Sequence, residues 1–321
     1  MKQSVLITGG LGYVGGRVAE WLAGDTGCEV FVTTRNPNSA ILPAWCPKDH
    51  CLQLDVLSDD DIQNVCRSRD TVVHFAALNE IDSAKDPERA LLVNGLGTQK
   101  LVRAAADAGT KRFIYFSTAH IYRSPLEGSI TEETLPRPIH PYAISHRTAE
   151  DVVLAANRPG AFRGIVIRLS NSIGSPININ VDRWSLIGND LCRQVVTTNE
   201  IRLKTSGIQE RDFIALSDVA RAVSHIIRLP DEAIGDGLFN LGGERSVSIL
   251  QLATLIQQRC RAVLGFTPPI VRPDPNPGEK PAPPLNYSIA KLKATGFTVQ
   301  GRLEDEIDGT LLFCKKNYSN H

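Results

Sequence analysis

Short β-branched runs alternate with longer helical patterns through the first 170 residues. That rhythm marks βαβ units, which build a parallel sheet covered by helices on both faces. The strand runs are 5–8, 29–33, 51–54, 70–75, 112–117 and 165–169; helical patterns cover 15–23, about 87–108, and the stretch around residue 142. Between the first strand and the first helix stands Thr8-Gly9-Gly10-Leu11-Gly12-Tyr13-Val14-Gly15. Glycine there permits a tight turn and a close backbone approach to a pyrophosphate. The helix start adds free N–H groups and the positive end of its dipole. The turn reads as a dinucleotide site.

After Gly174 the rhythm breaks. Residues 175–210 are mixed, a helix is expected over 215–227, a strand over 238–241 and a helix over 249–261. Residues 268–284 hold eight prolines, a density that blocks helix and inner strand alike. An ordered covering flap and a passive linker both fit that composition. The tail after Lys315 reads as frayed. The fold class expected is α/β, a doubly wound Rossmann parallel sheet with a smaller C-terminal substrate-binding domain. Residues 1–172 form the first unit with 212–245 returning to it, and 173–211 with 246–321 form the second. The ligand would lie between them at the strands' carboxyl ends.

Lys+Arg and Asp+Glu number 35 each, so no global field favours nucleic acid or an anionic membrane. No stretch reaches the ~18–20 apolar residues that cross a bilayer. Met1-Lys2-Gln3-Ser4-Val5 enters a strand-like run without the features of a signal peptide. The seven cysteines are dispersed and never spaced Cys-x-x-Cys, which fits reduced thiols better than a disulfide frame or a zinc site. A cytoplasmic protein with no metal is expected.

Tyr142 and His146, in His140-Pro141-Tyr142-Ala143-Ile144-Ser145-His146, are four apart and so share one face of a helix. With Gly9-x-x-Gly12-x-x-Gly15, this pair resembles the Tyr-x-x-x-Lys site of the short-chain dehydrogenase/reductases. It is closest to their extended, nucleotide-sugar epimerase/dehydratase type, with histidine where lysine belongs. The resemblance runs through nearly the whole chain and implies roles for particular residues. Gly9, Gly12, Tyr13, Val14 and Gly15 would hold the cofactor's pyrophosphate, and Asp55-Val56 its adenine. Phe75, Ala76 and Ala77, following His74, would lie beneath it, and Asn94 would support the central sheet. Thr118 would hydrogen-bond the reacting oxygen and Tyr142 would act as acid/base. His146 would take the lysine's place at the nicotinamide ribose. Histidine is charged only part of the time near neutral pH, so three readings stay open: a working variant, a slow enzyme, or a cofactor-binding relic or sensor.

The second strand ends Val32-Thr33-Thr34-Arg35-Asn36. Thr34 stands where a carboxylate would accept from the ribose 2′-OH of NAD. Arg35 offers a planar fork suited to a 2′-phosphate. NADP is the expected cofactor and NAD the second choice; a loop cation stacking on adenine is the other reading of Arg35.

On the substrate side, Arg168-Leu169-Ser170-Asn171-Ser172-Ile173-Gly174 and Arg211-Asp212-Phe213 are similar to segments of nucleotide-sugar enzymes. There the Asn and the Arg contact the substrate's diphosphate. Asn171 and Arg211 inherit those roles by resemblance; a salt bridge to Asp212 or a neighbour is the alternative for Arg211. Pro277-Gly278-Glu279 resembles the family's Arg-Pro-Gly-Asp, which makes Glu279 a substrate candidate, but Asn276 stands in the arginine's place; either Arg272 compensates or the substrate is not a standard UDP-sugar. Ala119-His120 stands where 4,6-dehydratases carry Asp-Glu, and this counts against dehydration. The function expected is NAD(P)-dependent ketoreduction or epimerisation of a nucleotide-activated sugar. The rivals are a non-enzymatic NADP-binding regulator and a reductase of a non-sugar carbonyl. No nucleic acid or membrane partner is expected, and a homodimer is allowed for.

Overall fold

The computed structural model describes residues 2–274 and 283–319. Seven strands form its central sheet: β1 (Gln3–Thr8), β2 (Cys28–Thr34), β3 (Cys51–Gln53), β4 (Thr71–His74), β5 (Arg112–Thr118), β6 (Arg163–Leu169) and β7 (Leu238–Leu241). They lie in the order 3-2-1-4-5-6-7 and every pairing is parallel. The chain reverses direction across the sheet between β1 and β4. In open parallel sheets a ligand crevice forms at such a reversal, outside the carboxyl ends of the strands.

The long helices are α1 (Tyr13–Ala23), α2 (Gly97–Asp107), α3 (Pro141–Ala155), α4 (Ile187–Thr198), α5 (Leu216–Arg228), α6 (Ile249–Leu264) and α7 (Leu303–Tyr318). Successive strand residues point to opposite faces, and β1 shows the result. Val5 and Ile7 pack with Val18 and Leu22 of α1 and with Val219 and Val223 of α5. Leu6, on the other face, packs with Leu101 of α2 and Ala149 and Val153 of α3. A separate apolar cluster joins α4, α6 and α7 through Leu191, Val195, Leu252, Ile256, Ile307 and Leu311. Of the stretch 212–245, α5 and β7 belong with the central sheet. The strand Glu210–Ala215 instead pairs with Asn171–Ile173 and Ser246–Ser248 in a small three-stranded sheet.

Three local expectations need correction. The mixed segment 175–210 contains α4, whose apolar face is carried by Leu191, Cys192 and Val195 and whose end is set by Asn199 at φ 57°. The tail does not fray at Lys315: α7 continues to Tyr318, whose ring meets Trp184 edge-on at 5.3 Å. The helix expected over 87–108 is a composite. A π-helical turn, Leu91–Leu96, separates Pro87–Ala90 from α2. That wide turn carries Asn94, whose Oδ1 accepts from Leu78 N at 2.8 Å and whose Nδ2 donates to Ser145 Oγ at 2.9 Å. π turns commonly mark such functional insertions. The side chains of all seven cysteines are buried and free. Among the described residues no cluster suits a metal ion and no helix is long and apolar enough to cross a membrane.

α3 is tied to the sheet by a buried ion pair. Glu150 is 0 % and Arg168 1 % exposed. The guanidinium of β6 donates from Nη2 to Glu150 Oε2 at 2.8 Å and from Nε to Oε1 at 3.0 Å. Arg168 Nη1 donates to Tyr122 Oη at 2.8 Å, and that hydroxyl donates to Asn240 Oδ1 on β7 at 2.7 Å. Removing one partner of such a pair leaves an uncompensated charge in the interior. Glu150→Gln should therefore destabilise the chain by about 3–5 kcal/mol, read as a lower urea midpoint. An unchanged midpoint would show that the pair is dispensable.

Candidate active site

The phosphate-binding turn is built by contacts that only glycine allows. Gly9 adopts φ +66°, and a Cβ there would sit 3.0 Å from Ala76 N. A Cβ on Gly15 would drive into the Gly9 carbonyl. Beneath the turn, Thr8 Oγ1 accepts from the backbone N–H groups of Phe75 and Ala76, each at 3.2 Å. It also meets His74 Nδ1 at 2.6 Å, and His74 Nε2 meets Thr98 Oγ1 at 3.0 Å. These bonds hold the ends of β1 and β4 together. No side chain caps α1 at Gly12 and no acid lies in its first turn, so the positive end of the dipole is left for an anion.

A cavity of about 590 Å³ opens above this turn, within the usual range for ligand sites. Its lining brings together Gly9, Gly12, Tyr13, Val14, Gly15, Phe75, Ala77, Thr118, Tyr142, His146, Asn171 and Arg211. Thr34, Arg35, Asp55, Val56 and Ala76 do not line it. Thr34 and Arg35 stand at the end of β2, and Asp55 and Val56 just beyond β3, which pairs with it. Arg35 is exposed and joins no ion pair among the described residues. Asp55 is exposed, and its Oδ1 accepts from Leu57 N at 3.0 Å, whereas Val56 is buried. The Tyr13 hydroxyl is already taken by Asn189 Oδ1 at 3.1 Å, so this residue can offer a ligand its backbone but not its phenol. Glu279 falls outside the described residues. Arg272, the suggested compensating cation, donates to Ser206 O at 2.8 Å and is not part of the cavity lining.

Thr118 ends β5, and its Oγ1 accepts from His120 N at 3.2 Å, which leaves the hydroxyl proton to donate elsewhere. Ser117 Oγ, buried beside it, has no partner among the described residues. Tyr142 stands in the first turn of α3, after Pro141 and an N-capping His140 whose Nδ1 accepts from Tyr142 N at 3.2 Å. Its ring lies 4.3 Å from that of His146, centroid to centroid.

His146 departs from the expected part-time cation. It is 3 % exposed, and burial, with a smaller contribution from His74, pulls its pKa down to about 3. Desolvation disfavours the charged form, so the imidazole is neutral at any physiological pH. Its Nδ1 lies 2.6 Å from the Tyr115 hydroxyl, while Nε2 has no partner among the described residues. Burial raises the Tyr142 phenol to about 12; Arg183 works to lower it and Glu80 to raise it. The cation that acts on Tyr142 is thus Arg183 and not residue 146.

Arg183 and Glu80 are cavity residues that sequence spacing gave no means of finding. Glu80, in the first turn of the short helix Glu80–Lys85, accepts from Arg183 Nη2 at 3.1 Å and from Ser185 Oγ at 3.1 Å. Burial works to raise the Glu80 pKa, but Arg183 and these hydrogen bonds outweigh it and the net shift is downward. Asn171 Nδ2 donates to Asp212 O at 3.0 Å. Asp212 is buried and occupied by Ser170 Oγ at 2.6 Å and by Gly243 N at 2.9 Å. The alternative of an Arg211–Asp212 salt bridge is not what the structure has: among the described residues no carboxylate pairs with Arg211, whose pKa burial lowers. His120 lines the cavity as well, its pKa lowered by burial and then by Arg211.

These charges predict opposite shifts at Tyr142. Glu80→Gln should lower its pKa from about 12, because it removes an anion, and Arg183→Gln should raise it, because it removes a cation. A ¹³C-tyrosine NMR titration assigned with Tyr142→Phe reads both; no movement in either variant would exclude this ion pair from the phenol's electrostatics.

Comparison with known proteins agrees with the site. The model of the NAD dependent epimerase/dehydratase family matches residues 5–242. A dTDP-glucose 4,6-dehydratase of Streptomyces niveus is 26% identical, covering 98% of this chain and 93% of its own. A GDP-6-deoxy-D-mannose reductase of Pseudomonas aeruginosa is 28% identical over 80% of each chain. The fold matches that of UDP-glucuronic acid 4-epimerase from Bacillus cereus in complex with NAD, with a TM-score of 0.80 at 20% identity over 98% of this chain and 97% of that one. A dehydratase among the relatives means that relatedness does not support setting dehydration aside; Ala119 and His120 alone carry that argument. Family model, glycine turn and sheet order point the same way: the chain belongs to the NAD dependent epimerase/dehydratase family.

Proposed function

We propose that the chain is an NADP(H)-dependent oxidoreductase that reduces a keto group of a nucleotide-activated sugar. One observation carries this reading: a single cavity holds the glycine turn, Thr118 and Tyr142, and the unpaired Arg211. The ionised residues that line it are Glu80, Arg183 and Arg211. Glu80 neutralises Arg183, so the cavity keeps one uncompensated positive charge, at Arg211. The N-terminus of α4 adds to this. Leu186, Ile187 and Gly188 line the cavity, no side chain caps the helix, and the acid of its first turn, Asp190, is paired with Arg193. An anionic diphosphate suits that wall.

The chain's residues also fit a nicotinamide dinucleotide. The glycine turn is kept tight by backbone contacts that a side chain at Gly9 or Gly15 would break, the α1 N-terminus is uncapped, and His146 Nε2 lacks a partner among the described residues. When bound, the dinucleotide supplies or accepts hydride. Gly9 to Gly15 would hold its pyrophosphate, Thr34 and Arg35 the adenosine ribose and its 2′-phosphate, Asp55 and Val56 the adenine, and His146 the nicotinamide-side ribose. Phe75 to Ala77 would form the floor.

The proton chemistry belongs to Thr118 and Tyr142. Thr118 donates a hydrogen bond to the carbonyl oxygen. Tyr142 gives that oxygen its proton as hydride reaches carbon, so the C=O double bond becomes C–H and O–H. The phenolate left behind is reprotonated from solvent. A phenol raised to about 12 beside a neutral imidazole is populated as the neutral acid near neutral pH, the form in which ketoreduction begins, whereas an epimerisation opens with alcohol oxidation and begins from the phenolate. Elimination of water needs a carboxyl acid/base pair. Ala119 and His120 provide none, and Glu80 is held by Arg183 and Ser185.

Two measurements test the proposal. Isothermal titration should show NADP(H) binding tighter than NAD(H), with Arg35→Ala removing most of the difference; equal affinities in the parent would assign Arg35 to adenine stacking. Arg211→Ala should raise KM for the nucleotide-sugar roughly tenfold to a hundredfold, because one charge-assisted contact is worth ~1.5–3 kcal/mol, while dinucleotide affinity changes little. An unmoved KM would point to a carbonyl substrate without the diphosphate, and loss of water from the sugar would overturn ketoreduction.

A further inference from the structure

Tyr115 lies on β5 with its side chain 1 % exposed. It packs in the apolar layer between the sheet and α3, with Val102, Ala149 and Val153. Among the described residues its hydroxyl meets one polar partner, His146 Nδ1 at 2.6 Å. The other nitrogen of that ring, Nε2, is buried and meets none. Neutral imidazole has one N–H and one lone pair, so two arrangements exist.

In the first, the Tyr115 hydroxyl donates to Nδ1 and the ring proton sits on Nε2. The unmet groups are then the Nε2–H donor and a spare lone pair on the phenol oxygen. In the second, Nδ1–H donates to the Tyr115 oxygen. The phenol hydrogen then has no acceptor, and the Nε2 lone pair has no donor. A buried polar hydrogen without an acceptor costs more than a spare oxygen lone pair. Burial keeps Tyr115 protonated, raising its pKa well above the usual phenol value, so its hydrogen must be placed. Each arrangement leaves one unmet donor, but only the first puts that donor on a residue of the cavity wall, where a ligand can satisfy it. The second strands it on a phenol that does not line the cavity.

We propose that Tyr115 is a positioning residue that fixes His146 in its Nε2–H tautomer, so that a neutral N–H donor, and not a cation, holds an acceptor oxygen of the dinucleotide's ribose. This rests on the reading of the cavity as a dinucleotide site. It also says how the chain manages without lysine at position 146. The donor that an ammonium would supply is kept, its charge is not, and the ring is steered from the sheet by a second aromatic residue. Substituting lysine alone would bury an ammonium against the Tyr115 hydroxyl.

The test is ¹⁵N NMR of the full chain labelled at histidine, with His146 assigned among the seven histidines by His146→Gln. Long-range ¹⁵N–¹H spectra near neutral pH should place the proton of His146 on Nε2. They should also place the Nδ1 resonance at the position of a nitrogen that accepts a hydrogen bond. In Tyr115→Phe that resonance should move to the position of a free acceptor nitrogen, and the NADP dissociation constant should rise about three- to tenfold, the worth of one hydrogen bond. A parent protonated on Nδ1, or an Nδ1 resonance that ignores Tyr115→Phe, overturns the proposal. Should Tyr115→Phe fail to fold, the parent's tautomer decides: Nε2–H supports the assignment and Nδ1–H ends it. A parent with the Nε2–H tautomer that binds neither NADP nor NAD overturns the dinucleotide reading instead and leaves the role of Tyr115 standing.

Discussion

Two opposite charges buried together, Glu150 and Arg168, fix the helix on which the reacting groups stand. Neither charge could be left alone in the interior, so α3 cannot slide on β6 without separating them. The network extends beyond the pair. Tyr287 Oη donates to Arg168 O at 2.8 Å and lies 3.1 Å from Asn240 Oδ1, joining the short strand Leu285–Tyr287 to β6 and β7. Tyr142 and His146, in the first two turns of α3, inherit their places from this anchor. The second support comes from Asn94, which bridges the Leu78 backbone to Ser145 on the same helix. The wall of the cavity that carries Tyr142 and His146 is thus held from both sides by side chains that do not line it.

Burial of the individual side chains decides the state of the titrating groups at this site. His74 and His146 are both pulled down to about 3 by burial, and Tyr142 is pushed up to about 12. Desolvation is the first cause in each case. The residue type at 146 therefore matters less than its surroundings. Histidine beside a solvated phenol would be a partial cation, whereas histidine sealed between Tyr115 and Tyr142 is a hydrogen-bonding ring. The electrostatic help that Tyr142 receives comes across the cavity from Arg183, a residue more than forty positions further along the chain.

Much of the sheet was legible in the sequence because parallel strands are buried on both faces and so read as β-branched runs. Five of the seven central strands carry such β-branched residues; Cys51–Gln53 and Leu238–Leu241 carry none and are legible from their apolar residues, and no boundary shifted by more than two residues. The glycine turn was legible because strand, glycines and helix stand in contiguous sequence. α4 was not legible: it lacks a capping side chain, includes Gly188 and Asn189, and owes its stability to packing on α6 and α7. The same distinction separates the site residues. Thr118, Tyr142, His146, Asn171 and Arg211 belong to contiguous motifs, and one cavity gathers them. Glu80, Arg183 and Tyr115 come from three distant segments with no spacing to announce them; only folding makes them neighbours. The charge state of His146 was illegible for a different reason, since burial and not residue type determines it.

The distribution of charge in the cavity gives the reaction its polarity. Its positive ends, Arg211 and the helix N-termini, lie where anionic phosphates would be drawn. In the proposed ketoreduction the groups nearest the reacting carbon would be Thr118, Tyr142 and His146, all neutral. A carbonyl placed among them meets hydroxyl and N–H donors but no fixed charge, and negative charge develops on its oxygen only as hydride arrives. Donors already oriented toward that oxygen stabilise the charge when it appears, without reorganising. The reverse reaction would need a phenolate at the outset. Beside a neutral imidazole, with the nearby cation Arg183 shared with Glu80, that phenolate is costly to form. Near neutral pH Tyr142 therefore starts as the protonated acid, the form from which the proposed ketoreduction begins, and its proton must be restored after each turnover.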